Sequence, residues 1–470
     1  MQFAEILLIL FVTGNVFYFI WGKPASKPLA YLGLGLFVLH LLLEGVRWQM
    51  APIYLTLLLT IAIHYLGWTF KKWLRVLGYG LAFILLILGS ALSYALPVFE
   101  LPKPTGPFAV ASQYHYVKDE SRLETITKAP DDYRELMIEV YYPSTETTPT
   151  YQYLTPEDRK GFALKYGLPP QTLHYLDGVN TYVQKEADAQ EGVFPVLLFS
   201  PGYYTPASGY QSILADIASH GYVIFSINHS YETMSSRFPD GRELQFHQEY
   251  AANNYWSDEM GKAVDEFDNA PEAEQREAVK NANRVFKGGA PMVARWADDI
   301  TSVIDAIEAW NTDPSFALAG KLKLDQIGAF GHSRGGAGAV EASIFDQRIK
   351  AAVNLDGAQW GHVVDSTLHK PVAVLSSTGS VLYDVNEYIY QQSKGAYFYD
   401  VALANSGHSN FSDIPYMVRI PQLNEAGSIK PYVATASFNN FLLAFFRKHL
   451  KEEKVNLNEV VENDEHLSWK

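Results

Sequence analysis

The chain has 470 residues, no cysteine and a formal net charge of −14. The missing thiol excludes cysteine nucleophiles, thiolate metal sites and disulfides, and so acidic a chain is unsuited to nucleic acid. The charge is uneven: residues 1–100 carry six Lys and Arg against three Asp and Glu, a net of +3, which leaves −17 for the remainder.

Four apolar stretches come first, at 6–21, 29–43, 53–70 and 76–96. About 20 apolar residues cross a hydrocarbon core. The last two stretches reach that length, and the first two are extended by Phe, Tyr and Trp near their ends, as interfacial anchors would be. No Asp, Glu, Lys or Arg interrupts them, and they are apolar all round rather than along one stripe. One cleaved signal peptide would account for the first stretch and not for three more. Residues 1–100 are therefore expected to form an all-α, four-span transmembrane module in the cell membrane. Lys23 and Lys27 separate spans one and two, Lys71, Lys72 and Arg75 separate spans three and four, and only Glu44 and Arg47 lie between spans two and three. Basic loops stay cytoplasmic, so everything after Glu100 is expected outside the cytoplasm.

The Pro-rich segment 101–107 reads as a semi-rigid linker. Residues 108–455 suffice for one large α/β domain, and 456–470 read as a polar tail. Stretches 108–117 and 136–142 alternate in polarity and predict an antiparallel opening pair. The continuous apolar runs 194–200 and 222–228 predict buried strands, with an amphipathic helix over 210–220 between them. The polar segment 229–294 fits no sheet element. With helical periodicity over 270–287, it is expected to form a lid insertion near the active site. A helix over 295–310, strands at 327–330, 351–355, 371–376 and 396–402, and a closing helix over 432–450 follow. This alternation predicts a mostly parallel sheet with helices on both faces, which binds ligands beyond the carboxyl ends of its strands.

The chemistry concentrates at Gly331-His332-Ser333-Arg334-Gly335. An apolar strand enters this string and a small-residue helix leaves it, the pattern of a nucleophile elbow. Gly331 and Gly335 allow strand and helix to approach each other, and the strained turn exposes the Ser333 hydroxyl. The serine needs a base, and the base an orienting acid. His408 lies in a small polar loop, Asn405-Ser406-Gly407-His408-Ser409-Asn410, just after the last predicted strand. Asp356 directly follows strand 351–355, with Asp384 and Asp413 as competitors. His332 is expected to point away as packing, and His220 and His229 to be structural. Backbone N–H groups of Tyr203, in the Ser200-Pro201-Gly202-Tyr203-Tyr204 turn, and of Arg334 are the expected oxyanion donors.

The ordered set Phe-Ser-Pro-Gly-Tyr, Ala-Ser-His-Gly-Tyr-Val-Ile, Gly-His-Ser-Arg-Gly-Gly, Asn-Leu-Asp-Gly and Ser-Gly-His-Ser-Asn-Phe resembles the lipoprotein-associated type of platelet-activating factor acetylhydrolase, within the α/β-hydrolase superfamily. The resemblance covers roughly residues 101–450. It implies Ser333 as nucleophile, Asp356 as acid, His408 as base, Tyr203 and Arg334 amides as oxyanion hole, and a calcium-independent ester hydrolase with no metal or organic cofactor. Two departures stand out: Arg334 occupies the place of an aromatic residue, and the four spans are foreign to secreted members. The expected function is a membrane-anchored serine hydrolase that cleaves carboxylic esters of lipid or phospholipid-like molecules. The rival readings are an acyltransferase that uses the same acyl-enzyme, and a receptor or scaffold built on a retired hydrolase domain.

Overall fold

The computed structural model describes residues 2–146, 153–255, 257–378, 384–390, 393 and 397–470. The side chain of Asp384 and residue 396, the expected first residue of a strand, lie outside the described set. The chain forms two compact units. One comprises Met1–Glu100, Gln171–Val179 and Tyr416–Asn424, and the other Leu101–Pro170, Asn180–Pro415 and Glu425–Lys470.

The first unit holds α1 (Phe3–Ile20), α2 (Lys27–Glu44), α3 (Ala51–Leu66) and α4 (Lys72–Ala95). All four are long and apolar enough to cross a membrane. Leu8, Val12, Val16, Ile53 and Leu57 form the interior, while large apolar side chains such as Leu42 and Ile87 stand exposed, at 79% and 68%. Two short later segments join the helices, which residues 1–100 alone did not foretell. The Trp48 indole donates to the Thr172 carbonyl at 2.7 Å, Arg47 lies over the Tyr175 ring, and Arg419 N–H donates to the Ala95 carbonyl.

The second unit is built on a ten-stranded sheet. Its strands are β1 (Ala109–Leu123), β2 (Tyr133–Ser144), β3 (Val183–Lys185), β4 (Phe194–Ser200), β5 (Val223–Asn228), β8 (Leu322–His332), β9 (Ile349–Leu355), β10 (Val372–Ser377), β11 (Phe398–Leu403) and β12 (Leu467–Trp469). A separate hairpin pairs β6 (Ser235–Arg237) with β7 (Glu243–Gln245). The sheet order is β12-β11-β10-β9-β8-β4-β5-β2-β1-β3. Strands β11, β10, β9, β8, β4 and β5 run parallel, and β2 and β12 flank them antiparallel.

Helices of this unit, in chain order, are α5 (Pro156–Lys165), α6 (Gln211–Ser219), α7 (Gln248–Asn254), α8 (Asp258–Asn269), α9 (Glu272–Val285), α10 (Ala290–Trp310), α11 (Arg334–Phe345), the short α12 (Asp384–Ile389), α15 (Pro431–His449) and α16 (Leu457–Glu462). The short α13 (Ile414–Met417) and α14 (Pro421–Asn424) precede α15. Successive strand residues face opposite sides. Leu197 and Phe199 of β4 pack with Ile213 and Leu214 of α6 and Phe438, Phe441 and Phe445 of α15. Val196 and Leu198 pack with Ile300, Val303 and Ile304 of α10. Burial on both faces explains the unbroken apolar runs.

Several elements are longer than the sequence predicts, β8 (expected at 327–330) and α10 (expected at 295–310) among them, and two differences are structural. β1 continues past 117 through a polar stretch because Asp119 and Arg122 bond Ser302 and Asp299 of α10. Residues 456–470, expected as a polar tail, instead form α16 and β12. Leu467 and Trp469 pair with Leu403 and Val401 of β11, and Leu457, Val461 and Leu467 are buried. Removing 456–470 should therefore lower the melting temperature measurably and promote aggregation through the bared β11 edge. A dispensable tail would leave the thermal transition of the truncated protein unchanged.

Candidate active site

The geometry starts at the end of β8. Ser333 has φ 56° and ψ −123°, a conformation that costs a non-glycine residue about 1–3 kcal/mol. Its N–H donates to the Leu355 carbonyl at 2.8 Å, and its carbonyl accepts the N–H groups of Gly336 and Ala337. A Cβ on Gly335 would lie 2.1 Å from the Ser200 carbonyl oxygen and 2.3 Å from that of Pro201. One on Gly331 would lie 2.4 Å from the Ser200 oxygen. Both glycines are thus required where the turn between β8 and α11 presses on the end of β4. Gly357, which the sequence reading did not single out, is required likewise: its Cβ would sit 2.1 Å from the Ser333 oxygen.

Asp356 follows β9 and is fully buried. One carboxylate oxygen meets His408 Nδ1 at 2.8 Å, and the other accepts the Ser377 N–H at 2.6 Å. His408 opens a short turn after β11, with its side chain 30% exposed. Asp413, the competing acid, has other work. It accepts the N–H groups of Gln211 and Ser212 at the start of α6 and the hydroxyl of Tyr153, and burial pushes its carboxyl up to about 6.

His332 does not point away, contrary to expectation. Its Nε2 donates to the His408 carbonyl at 3.0 Å, so in the neutral ring Nδ1 accepts, and the Tyr210 hydroxyl donates to it at 2.9 Å. Burial first, and the neighbouring His408 second, hold His332 neutral, well below the usual imidazole range. Tyr210 in turn accepts the Gly202 N–H at 2.9 Å. One chain of hydrogen bonds therefore joins the His408 loop to the turn that carries Tyr203. The N–H groups of Tyr203 and Arg334 have no protein acceptor among the described residues.

A second Ser-His-Asp set was not foreseen. Ser200 Oγ lies 2.8 Å from His229 Nε2, and His229 Nδ1 lies 2.8 Å from Asp299. All three residues are fully buried, and His229 stacks on Trp296 at 4.0 Å. With no access for a substrate, the set fixes the end of β4 from beneath, so His229 is structural as expected. Burial opposes ionisation of Asp299, but Arg134, paired with it at 2.7 Å, and His229 hold its carboxyl well below the usual range.

The segment 229–294 supplies α7, α8 and α9 and the β6–β7 hairpin. Met260, Ala263, Ala282 and Phe286 pack with Ala337 of α11 and with Trp360. Two of its aromatic rings reach the elbow: the Arg334 guanidinium lies 5.2 Å from the Phe286 ring and 5.9 Å from that of Tyr255. Tyr203 stacks on Tyr255 at 4.9 Å and Tyr204 on Phe246 at 3.6 Å. Arg334 is 91% buried, its Nη1 has no hydrogen-bond partner, and no carboxylate pairs with it among the described residues.

The family description "platelet-activating factor acetylhydrolase, isoform II" matches residues 96–467. The chain belongs to that family. As a member of the acetylhydrolase family it is a carboxylic ester hydrolase, and α1 to α4, which end at Ala95, precede the matched region. Among curated relatives, a probable 1-alkyl-2-acetylglycerophosphocholine esterase of Arthroderma benhamiae is 24% identical over 392 residues, 75% of this chain and 85% of that one. The platelet-activating factor acetylhydrolase of Canis lupus familiaris is 25% identical over 346 residues, 67% and 71% of the two chains. A ferulic acid esterase from Streptomyces cinnamoneus has the same fold, with a TM-score of 0.61 at 24% identity over 79% of this chain and 99% of its own.

Asp299→Asn removes the carboxylate that Arg134, Arg122 and His229 share, leaving Arg134 with Glu124 and Glu232, and should cost about 3 kcal/mol in denaturant unfolding. A carboxylate whose folded pKa is depressed stabilises fully above its unfolded pKa, about 4, and loses that contribution as pH falls through the folded value. The deficit of Asp299→Asn should therefore be constant from about pH 5 to 8 and shrink only in strong acid. A variant as stable as the parent at pH 7 would contradict this.

Proposed function

We propose that this chain is a membrane-anchored serine hydrolase that cleaves carboxylic esters of phospholipid-like molecules through a Ser333–His408–Asp356 acyl-enzyme mechanism. The observation that carries the reading is the 2.8 Å contact of His408 Nδ1 with Asp356, beside a serine held at φ 56° in a strand-to-helix turn. Asp356 accepts a hydrogen bond from Nδ1–H, which keeps that proton on Nδ1 and leaves Nε2 of His408 as the base. Nε2 takes the Ser333 hydroxyl proton as Oγ attacks the ester carbonyl. The tetrahedral oxyanion is stabilised by the N–H groups of Tyr203 and Arg334, the latter at the N-terminus of α11. Collapse expels the alcohol, protonated by His408. Water then attacks the acyl-Ser333 ester with His408 again as base.

Arg334 narrows the substrate class. A buried guanidinium with an unpartnered nitrogen and no carboxylate neighbour is costly unless a ligand supplies the anion. An ester that carries a phosphodiester close to the scissile bond would do so. The names of the curated relatives, which include a glycerophosphocholine esterase, agree with this class.

Ser333→Ala should remove fluorophosphonate labelling and lower turnover by about 10⁴ or more. Labelling that survives the change would end the assignment. Asp356→Asn should lower kcat by orders of magnitude, whereas Asp413→Asn, at the start of α6, should act on stability and spare the pH profile of kcat. Arg334→Gln should reduce kcat/KM for a 2-acetyl glycerophospholipid, relative to the matching phosphate-free acetylglycerol, by about tenfold, the worth of one charge-assisted contact. An unchanged ratio would remove Arg334 from recognition.

The membrane part of the reading rests on four long apolar helices and on the basic loops that contain Lys23, Lys27, Lys71, Lys72 and Arg75. It puts the catalytic unit outside the cytoplasm. Alkali should leave the protein in the membrane pellet, and a protease added to intact cells, or to spheroplasts where an outer membrane intervenes, should cut near Pro104. Cleavage only after permeabilisation would reverse the orientation.

A further inference from the structure

We propose that the four-helix unit binds an anionic glycerophospholipid in a cavity between α1, α3 and α4. The cavity has a volume of about 840 Å³. Its wall is apolar, with Val16 and Phe19 from α1, Leu59 and Ile63 from α3, and Leu81 and Leu85 from α4. The polar groups on its helical wall are already used. Thr56 and Thr60 donate to the Pro52 and Leu57 carbonyls, and the Tyr79 hydroxyl donates to the Phe19 carbonyl. A polar solute would find little to bond there, whereas hydrocarbon fits. Along α4 the lining runs from Leu74 to Leu85, a depth of about 16 Å at the helical rise, suited to an acyl chain rather than a compact ligand.

The mouth has the opposite character. Lys23 and Arg75 line it, and residues 21–28 and 66–78 add Lys27, Lys71 and Lys72 without one Asp or Glu. Glu5 and Glu44, the carboxylates of the helices, are paired with Arg47 and His40 near the other ends of α1 and α2. Neither Lys23 nor Arg75 has a carboxylate partner among the described residues. A hydrocarbon slot beneath a cluster of uncompensated cations is complementary to an anionic headgroup with its chains inserted. The inference depends on the membrane reading of α1 to α4 and not on the ester chemistry.

The cavity also offers a clean obstruction. Gly78 lines it, and a Cβ built there meets nothing within 4 Å, so Gly78→Leu places added side-chain volume on the cavity wall from an open starting position. The full chain, carrying Ser333→Ala so that no lipid is hydrolysed, is purified in mild detergent and delipidated. Retention of phosphatidylglycerol and of phosphatidylcholine with identical acyl chains is then compared by native mass spectrometry. The parent should retain phosphatidylglycerol preferentially. Lys23→Gln with Arg75→Gln should cut that preference about tenfold, Gly78→Leu should reduce retention of both lipids, and Gly14→Leu, at an open position away from the cavity, should change neither. Equal retention of the two lipids by the parent, or retention indifferent to both Gly78→Leu and the double charge variant, overturns the proposal. A chain that is soluble without detergent overturns the membrane reading together with it. A membrane-integral chain that retains no lipid overturns this inference alone.

Discussion

The catalytic unit depends on one backbone contact, the approach of the Ser333 turn to the carbonyl end of β4. At 2.1 Å from the Ser200 oxygen there is no room for even a methyl group on residue 335. That proximity fixes the entry angle of α11, keeps Ser333 in its disfavoured conformation and sets Ser200 and Pro201 beside the helix N-terminus. Strain of this kind persists only where surrounding structure over-determines it. Here three strands do so: β4 through the Ser200 carbonyl, β9 through the Leu355 carbonyl, and β8 through its own register. The buried Ser200–His229–Asp299 set ties the end of β4 to α10.

The elbow was legible in the sequence because its cause is local. Glycines at 331 and 335 around a serine, between an apolar strand and a small-residue helix, leave few alternatives. The meeting of Asp356 and His408 was foreshadowed by their places after strands, since a parallel sheet collects such residues along one edge. His332 was not. Its neighbours Tyr210 and the His408 carbonyl lie 122 and 76 residues away, and its hydrogen bonds come only from the folded arrangement. The same holds for Ser200, His229 and Asp299, which carry no spacing signature. The closing strand β12 escaped because three residues in a charged setting show no period, and their burial depends on pairing with β11.

The two units divide the charge of the chain between them. The acidic excess belongs to the catalytic sequence and the cations of residues 1–100 gather mainly in two loops. Within the catalytic unit, charge is handled by burial in pairs, as with Arg134 and Asp299. Arg334 breaks that habit: among the described residues it has no carboxylate partner and lies over the aromatic faces of Tyr255 and Phe286, which tolerate a cation without neutralising it.

Those same rings have a consequence for modularity. Segment 229–294, which supplies α7, α8, α9 and a separate hairpin, lies outside the ten-stranded sheet and so looks like a part that could be exchanged between related chains. Here the boundary between the segment and the sheet runs through the turn after β4, because Phe246 and Tyr255 serve as the stacking surfaces for Tyr204 and Tyr203. A transplanted segment would bring its own surfaces to that turn. An exchange of this segment would therefore have to be matched by changes at residues 203 and 204.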